Sequence, residues 1–193
     1  MNNGDKIILD LCGGTGSWSK PYKEAGYDVR LITLPDHDVL TYQPPGNVYG
    51  ILAAPPCTMF SVARRTAKTP PDYEGALKVV EACERIVRKC ALSGKLKFWA
   101  MENPRGKLRY FLGLPKNTFY QWQFGGQHKK PSDIWGFYNP PVPTIKIEPK
   151  IDVDKSWQKP ECPQEYAHLK LNRAAIRAIT PKGFAQAFYK ANK

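Results

Sequence analysis

Cys57 stands directly after Pro55 and Pro56, at the end of the apolar run of residues 51–54. Proline fixes φ and removes a backbone donor, so the pair sets the thiol on a rigid corner. A thiol held there can attack a bound ligand once it is deprotonated. Its ordinary pKa of about 8.5 means that a nucleophilic thiol needs positive charge nearby. Arg64, Arg65 and Lys68 follow in "SVARRTAK" and are the expected source. Taken alone, a free cysteine is more often unreactive packing, so its company matters. Glu102 ends the apolar stretch "FWAM", where lost solvation disfavours the charged form of a carboxyl. A partly protonated glutamate can donate a proton to a ring nitrogen. The plainer alternative is a turn carboxylate that accepts backbone N–H bonds, and Glu102 by itself leaves both open.

A third group of residues lies near the amino terminus. "DLCGGTGSW" places Asp10, Cys12, Gly13, Gly14, Thr15, Gly16 and Trp18 between an apolar run and a basic, polar stretch. Glycines let the backbone approach a ligand closely, and a following helix leaves N–H groups free for it. The spacing is not GxGxxG and no P-loop lysine follows, so an ordinary turn explains it equally well in isolation.

These groups need elements to hold them. Residues 6–12 form a short apolar run closed by glycines, which predicts a buried strand. A helix is expected next, ending at Gly26, and then strands in "YDVRLITL" and "YGILAA". Ala76, Val80, Cys83, Val87 and Cys90 make one apolar stripe of a long helix, which assigns Cys83 and Cys90 to the core. "LKFWAMENP" predicts another strand. "TFYQWQF" and "SDIWGFY" are aromatic-rich and also predict strands. The closing helix has Thr180 as its expected N-cap and Pro181 at its first helical position. Alternation of strand and helix predicts an α/β fold with a mainly parallel sheet. Ligands in such sheets sit beyond the carboxyl ends of the strands. The glycine turn, the Pro–Pro–Cys corner and "MENP" all fall at such ends.

The chain of 193 residues carries a formal charge of +12 and a pI of about 9.5. That excess suits a polyanionic partner, most simply nucleic acid. Five cysteines without a CxxC pair argue for reduced thiols and against a disulfide framework or a four-cysteine zinc site; no metal is expected. No window reaches the ~18 apolar residues of a membrane span, and a soluble, cytoplasmic protein is the expectation.

In order along the chain, "LDLCGGTGSWS", "APPCTMFS" and "MENPRG" resemble the cytosine-C5 DNA methyltransferases, small phage and bacterial forms in particular. The likeness continues through "QFGGQHKKPSDIW" and "RAITPKGFAQAF". The resemblance implies a Rossmann-like methyltransferase fold, S-adenosylmethionine (SAM) as methyl donor, and a cytosine flipped out of double-stranded DNA as acceptor. Cys57 matches the nucleophile and Glu102 the glutamate on the cytosine edge. Gly13 to Trp18 match the SAM turn, with Asp10, Cys12 and Pro55 as further expected cofactor contacts, and Asp38 resembles the aspartate at the SAM adenine. Arg64, Arg65, Lys68, Asn103 and Arg105 are the expected nucleic-acid contacts.

Three departures stand out. Thr33, Leu34 and Pro35 occupy the place of the usual ribose-binding acid, with Asp36 late. "QHKKPSD" replaces a Gln-x-Arg-x-Arg motif, which leaves Lys130 as the nearest cation or as a solvated surface lysine. Residues 1–193 are expected to form one catalytic domain, in which residues 136–172 are a short irregular insert where larger relatives carry a target-recognition domain. That insert is too short for its own core, so sequence reading is expected to be relaxed or borrowed from a partner subunit. An RNA methyltransferase and a non-catalytic SAM and nucleic-acid module remain alternative expectations.

Overall fold

The computed structural model describes residues 3–62, 64, 67–126, 129–148 and 161–193. Its strands are β1 (Ile7–Leu11), β2 (Asp28–Ile32), β3 (Val48–Ala53), β4 (Phe98–Pro104), β5 (Asn117–Tyr120) and β6 (Pro131–Phe137). Its α-helices are α1 (Lys20–Glu24), α2 (Tyr73–Ala91), α3 (Arg109–Leu112), α4 (Arg173–Ala178) and α5 (Lys182–Ala191). The six strands form one sheet in the order β2-β1-β3-β4-β6-β5. β1 runs parallel to β2 and β3, and β3 parallel to β4. β6 is antiparallel to both β4 and β5. The fold is α/β, with a mostly parallel mixed sheet flanked by helices, compatible with a Rossmann-like fold.

Side-chain alternation divides the strands between two faces. Ile7, Leu9, Leu11, Ile51, Ala53 and Met101 pack with Val80, Cys83, Ile86, Val87 and Cys90 of α2. Ile8, Leu52, Phe98 and Ala100 pack with Trp18, Tyr22, Phe184 and Phe188 beside α1 and α5. Both faces are therefore covered, which explains why the parallel strands read as nearly unbroken apolar runs. Burial of each Ile, Leu, Val, Phe or Met among them stabilises the fold by roughly 1.5–3 kcal/mol. The α2 stripe holds as expected, and Asp72 caps that helix by accepting from the Gly75 N–H at 2.9 Å. α1 ends at Glu24, and Gly26 beyond it has φ 83°, the left-handed backbone of a helix stop.

Several expectations change. "TFYQWQF" is strand only to Tyr120; Gln121–Phe124 form a 3-10 turn, fixed by the Gln123 side chain on the Tyr120 N–H (2.7 Å) and closed by Gly125 with φ 80°. Thr180 does not cap α5. Pro181 holds that position, with no side-chain cap, and the Thr180 N–H donates to Ser17 Oγ (2.9 Å). The expected insert begins too early: Gly136 and Phe137 belong to β6. Residues 138–148 carry no helix or strand, and 149–160 lie outside the described residues. Among the described residues no helix is long and apolar enough to cross a membrane.

Candidate functional site

The glycine turn is built on a buried carboxyl. Asp10, 0% exposed on β1, accepts a hydrogen bond from Ser19 Oγ at 2.5 Å. Burial raises its pKa to about 6 against the opposing pull of the Ser19 hydrogen bonds. The carboxyl lies so close under the turn that a Cβ on Gly13 would sit 2.3 Å from Asp10 Cγ. Only glycine fits there. Cys12 has φ 57°, and Gly14 and Gly16 follow with φ 55° and 68°. A non-glycine residue in that region costs on the order of 1–3 kcal/mol and recurs at ligand clamps. The Cys12 N–H is held by the Ile32 carbonyl at the end of β2 (2.8 Å), and its sulfur shares a hydrogen bond with Cys83 of α2. Two buried polar atoms here lack a hydrogen-bond partner in the structure, Asp10 Oδ1 and Trp18 Nε1. Thr15 is half-buried. Asp38 is near enough for its charge to act on the Cys12 thiol, while its Oδ1 accepts from the Leu40 N–H (2.9 Å). Trp18 packs edge-on against Phe188, with ring centres 5.3 Å apart, so its ring belongs to the core.

The second and third groups meet at the same edge. β1, β3 and β4 are parallel neighbours, so their carboxyl ends are adjacent. The Ala54 N–H reaches the Leu11 carbonyl (2.9 Å) and fixes the start of the Pro–Pro corner to the end of β1. Asn103 Nδ2 donates to the Pro55 carbonyl (2.9 Å) and fixes it to β4. Beyond the corner, the Phe60 and Ser61 N–H groups close on the Cys57 carbonyl at 3.0 and 2.9 Å. Cys57 is thus half-buried on a turn pinned from both sides.

Glu102 lies opposite Ile134 in the β4–β6 pairing and takes a hydrogen bond from Ser132. Burial pushes its carboxyl up from the ordinary range, with the Lys130 charge and the Ser132 bond opposing. Lys130 is there because β6 is antiparallel: the residue before β6 must arrive at the carboxyl end of β4. Its Nζ donates to the Arg177 carbonyl (3.3 Å), which brings the chain before α5 to the site. Lys130 and Arg177 both act on the Cys57 thiol, as does Glu102 with the opposite sign. Asp133 adds a buried charge next in line, held by Arg109 Nε and Nη2, each at 2.6 Å, and by Thr118 Oγ1 at 2.7 Å.

The expected activation of the thiol is corrected. Burial pushes Cys57 up, and Lys130 and Arg177 offset this only in part. The free protein therefore holds a thiol at neutral pH. Arg64 is not among the charges acting on the thiol; its Nη2 points to Thr69 Oγ1 and the Thr69 and Pro70 carbonyls, all at 2.9 Å. Arg65 lies outside the described residues. Lys68 and Arg105 are exposed. Asn103, expected at the nucleic-acid surface, is 1% exposed and serves as the clamp on Pro55. Arg177, Ser132 and the Arg109–Asp133 pair were not foreseen. Arg177 opens "RAIT", a stretch set apart in the sequence, but nothing local ties it to Cys57.

The arrangement can present a nucleophile, a proton donor and two cations beside a small-ligand cradle. Among the described residues no cluster of His, Cys, Asp and Glu could hold a metal ion. A lysine-bordered cleft at Lys6, Tyr49, Lys95 and Lys97 lies at the opposite strand ends, apart from this chemistry. No protein-family model matches the chain, and no curated protein matches it.

Proposed function

We propose that the chain is a SAM-dependent methyltransferase acting at C5 of cytosine in DNA. The observation that carries this is the meeting of Cys57, Glu102 and Lys130 at the strand edge that also holds the glycine turn. The turn fits SAM on three counts: open space beside Gly14 for backbone contact, an unpartnered buried acceptor at Asp10 Oδ1, and an unpartnered donor at Trp18 Nε1. Asp10, Cys12, Gly13, Gly14, Thr15 and Gly16 would hold its polar end, with Asp38, Pro55 and Trp18 around it. When bound, SAM supplies an electrophilic methyl group on a sulfonium.

The chain's own residues prepare the base. Cytosine C5 is a weak nucleophile until C6 is attacked. Cys57 gives its proton to water, and a sulfur–C6 bond forms. The displaced ring pair moves toward N3, which takes the proton held by Glu102. The raised pKa of Glu102 keeps that proton available nearer neutral pH. Lys130 and Arg177 stabilise the thiolate as it forms and again as it leaves. In the return step N3 gives its proton back to Glu102, C5 loses its proton to solvent, and the sulfur–C6 bond breaks with its pair returning to sulfur. The target must first leave the stack, at a cost of a few kcal/mol. Phosphate contacts made by a chain of charge +12 offset part of that cost.

The test uses duplex DNA carrying 5-fluorocytosine, with SAM present. Fluorine cannot leave as a proton does, so the reaction stalls with Cys57 bonded to C6. The expected result is a denaturation-resistant adduct that Cys57→Ala does not form. An absent adduct on mixed-sequence DNA, with SAM binding confirmed, overturns the reading.

A further inference from the structure

The segment from Arg105 to Leu114 is bolted to the Cys57 loop more firmly than a surface turn requires. The Lys107 N–H donates to the Phe60 carbonyl (2.8 Å) and the Arg105 N–H to the Pro131 carbonyl (3.0 Å). Gly106 lies so close that a Cβ would sit 2.4 Å from the Phe60 carbonyl oxygen. Arg109 grips Asp133, and Trp135 Nε1 donates to the Gly113 carbonyl at 3.1 Å. Phe111 is anchored by Phe60 and Tyr73, at 6.0 and 5.4 Å between ring centres.

What this rigid piece presents outward is apolar. Tyr110 and Leu114 are each 84% exposed and Phe111 44%. The charge around them is mostly positive. Residues 104–116 contain Arg105, Lys107 and Lys116 besides the Asp133-paired Arg109, and no acid; Arg64 and Lys68 follow the Cys57 turn, ahead of Asp72 and Glu74 at the start of α2. A second copy of the chain is poorly suited to cover this face, since two such surfaces repel. A polyanion with flat apolar groups is complementary to it.

We propose that this rim grips an unpaired nucleic-acid strand beside the target base: Tyr110 stacks on a base, Leu114 wedges next to it, and Arg105 and Lys107 meet the phosphates. Stacking on an aromatic face is sequence-tolerant and favours bases already free of a partner. The inference rests on the nucleic-acid reading above and narrows it. The rim therefore holds the strand opened around the flipped base, so a single strand or a locally opened duplex binds more tightly than an intact duplex, which remains a substrate.

Binding of fluorescein-labelled oligonucleotides by anisotropy tests this, with DNA and RNA versions of a single strand, its duplex and a duplex with a central mismatched bubble. Tyr110→Ala is expected to weaken single-strand and bubble binding by about tenfold and duplex binding much less. Tyr110→Trp should keep the affinity, and its added indole fluorescence should be quenched by the single strand. SAM binding by calorimetry shows that each variant is folded. Unchanged affinity in Tyr110→Ala, equal losses on all forms, or an unquenched Tyr110→Trp that still binds overturns this inference alone. A self-association abolished by Tyr110→Ala also overturns it. No binding of any nucleic acid by the unaltered protein overturns the parent reading with it.

Discussion

Replacement of Asp10 by asparagine isolates one buried charge. In the folded chain this carboxyl has a pKa of about 6, against 3.8 for the group in its ordinary state. The folded value is the higher one, so the folded state holds its proton longer than the unfolded state does. Below the lower value both states are protonated and the group is neutral toward stability. As pH rises the unfolded chain ionises first, and stability is lost until the folded carboxyl has ionised as well. At about 1.4 kcal/mol per pH decade, the loss between about pH 4 and pH 7.5 is roughly 2 kcal/mol. Asp10→Asn cannot ionise and lacks this loss. Its new amide donor has its own cost, but that cost does not vary with pH and cancels when two pH values are compared. The assay is urea unfolding of both proteins at about pH 4 and pH 7.5, each without ligand. The unaltered protein should lose roughly 2 kcal/mol more than Asp10→Asn between the two conditions, equivalent to roughly 4–8 °C in Tm. Parallel pH dependence in the two proteins would refute a buried, reluctant carboxylate beneath the turn.

Alkylation of Cys57 by iodoacetamide, followed by mass spectrometry of its peptide, should be slow at neutral pH and accelerate as pH rises, because burial holds the thiol protonated. Lys130→Met removes an opposing cation, so the profile should move to still higher pH; a downward move contradicts the assigned electrostatics. Asn103→Ala takes the donor from the buried Pro55 carbonyl and should cost about 1–3 kcal/mol in urea unfolding. It should also slow 5-fluorocytosine adduct formation, and unchanged stability would show that the β3–β4 clamp is dispensable.

Much of the frame is local in origin and legible as such. β1, β3 and β4 are buried on both faces, so their composition alone marks them. α2 is marked by its stripe, because a helix packed on one sheet face must repeat its apolar residues at helical spacing. The glycine turn and the Pro–Pro–Cys corner announce themselves because backbone conformation there depends on residue type. "TFYQWQF" misled because aromatic residues suit a strand and a packed 3-10 turn equally; the Gln123 side chain on the Tyr120 N–H decided between them.

An α/β sheet with its three chemical stretches at strand ends follows from local signals, since hydrophobic period, glycine and proline act over a few residues. What surrounds those stretches depends on how distant segments fold together. The antiparallel run of β6 puts Lys130 beside Glu102, and the return of the chain before α5 brings Arg177 to Cys57. The sign of the Cys57 shift and the proton on Asp10 were likewise settled by burial. Charge and desolvation act through space, between residues far apart in the chain, so no short stretch of sequence encodes them.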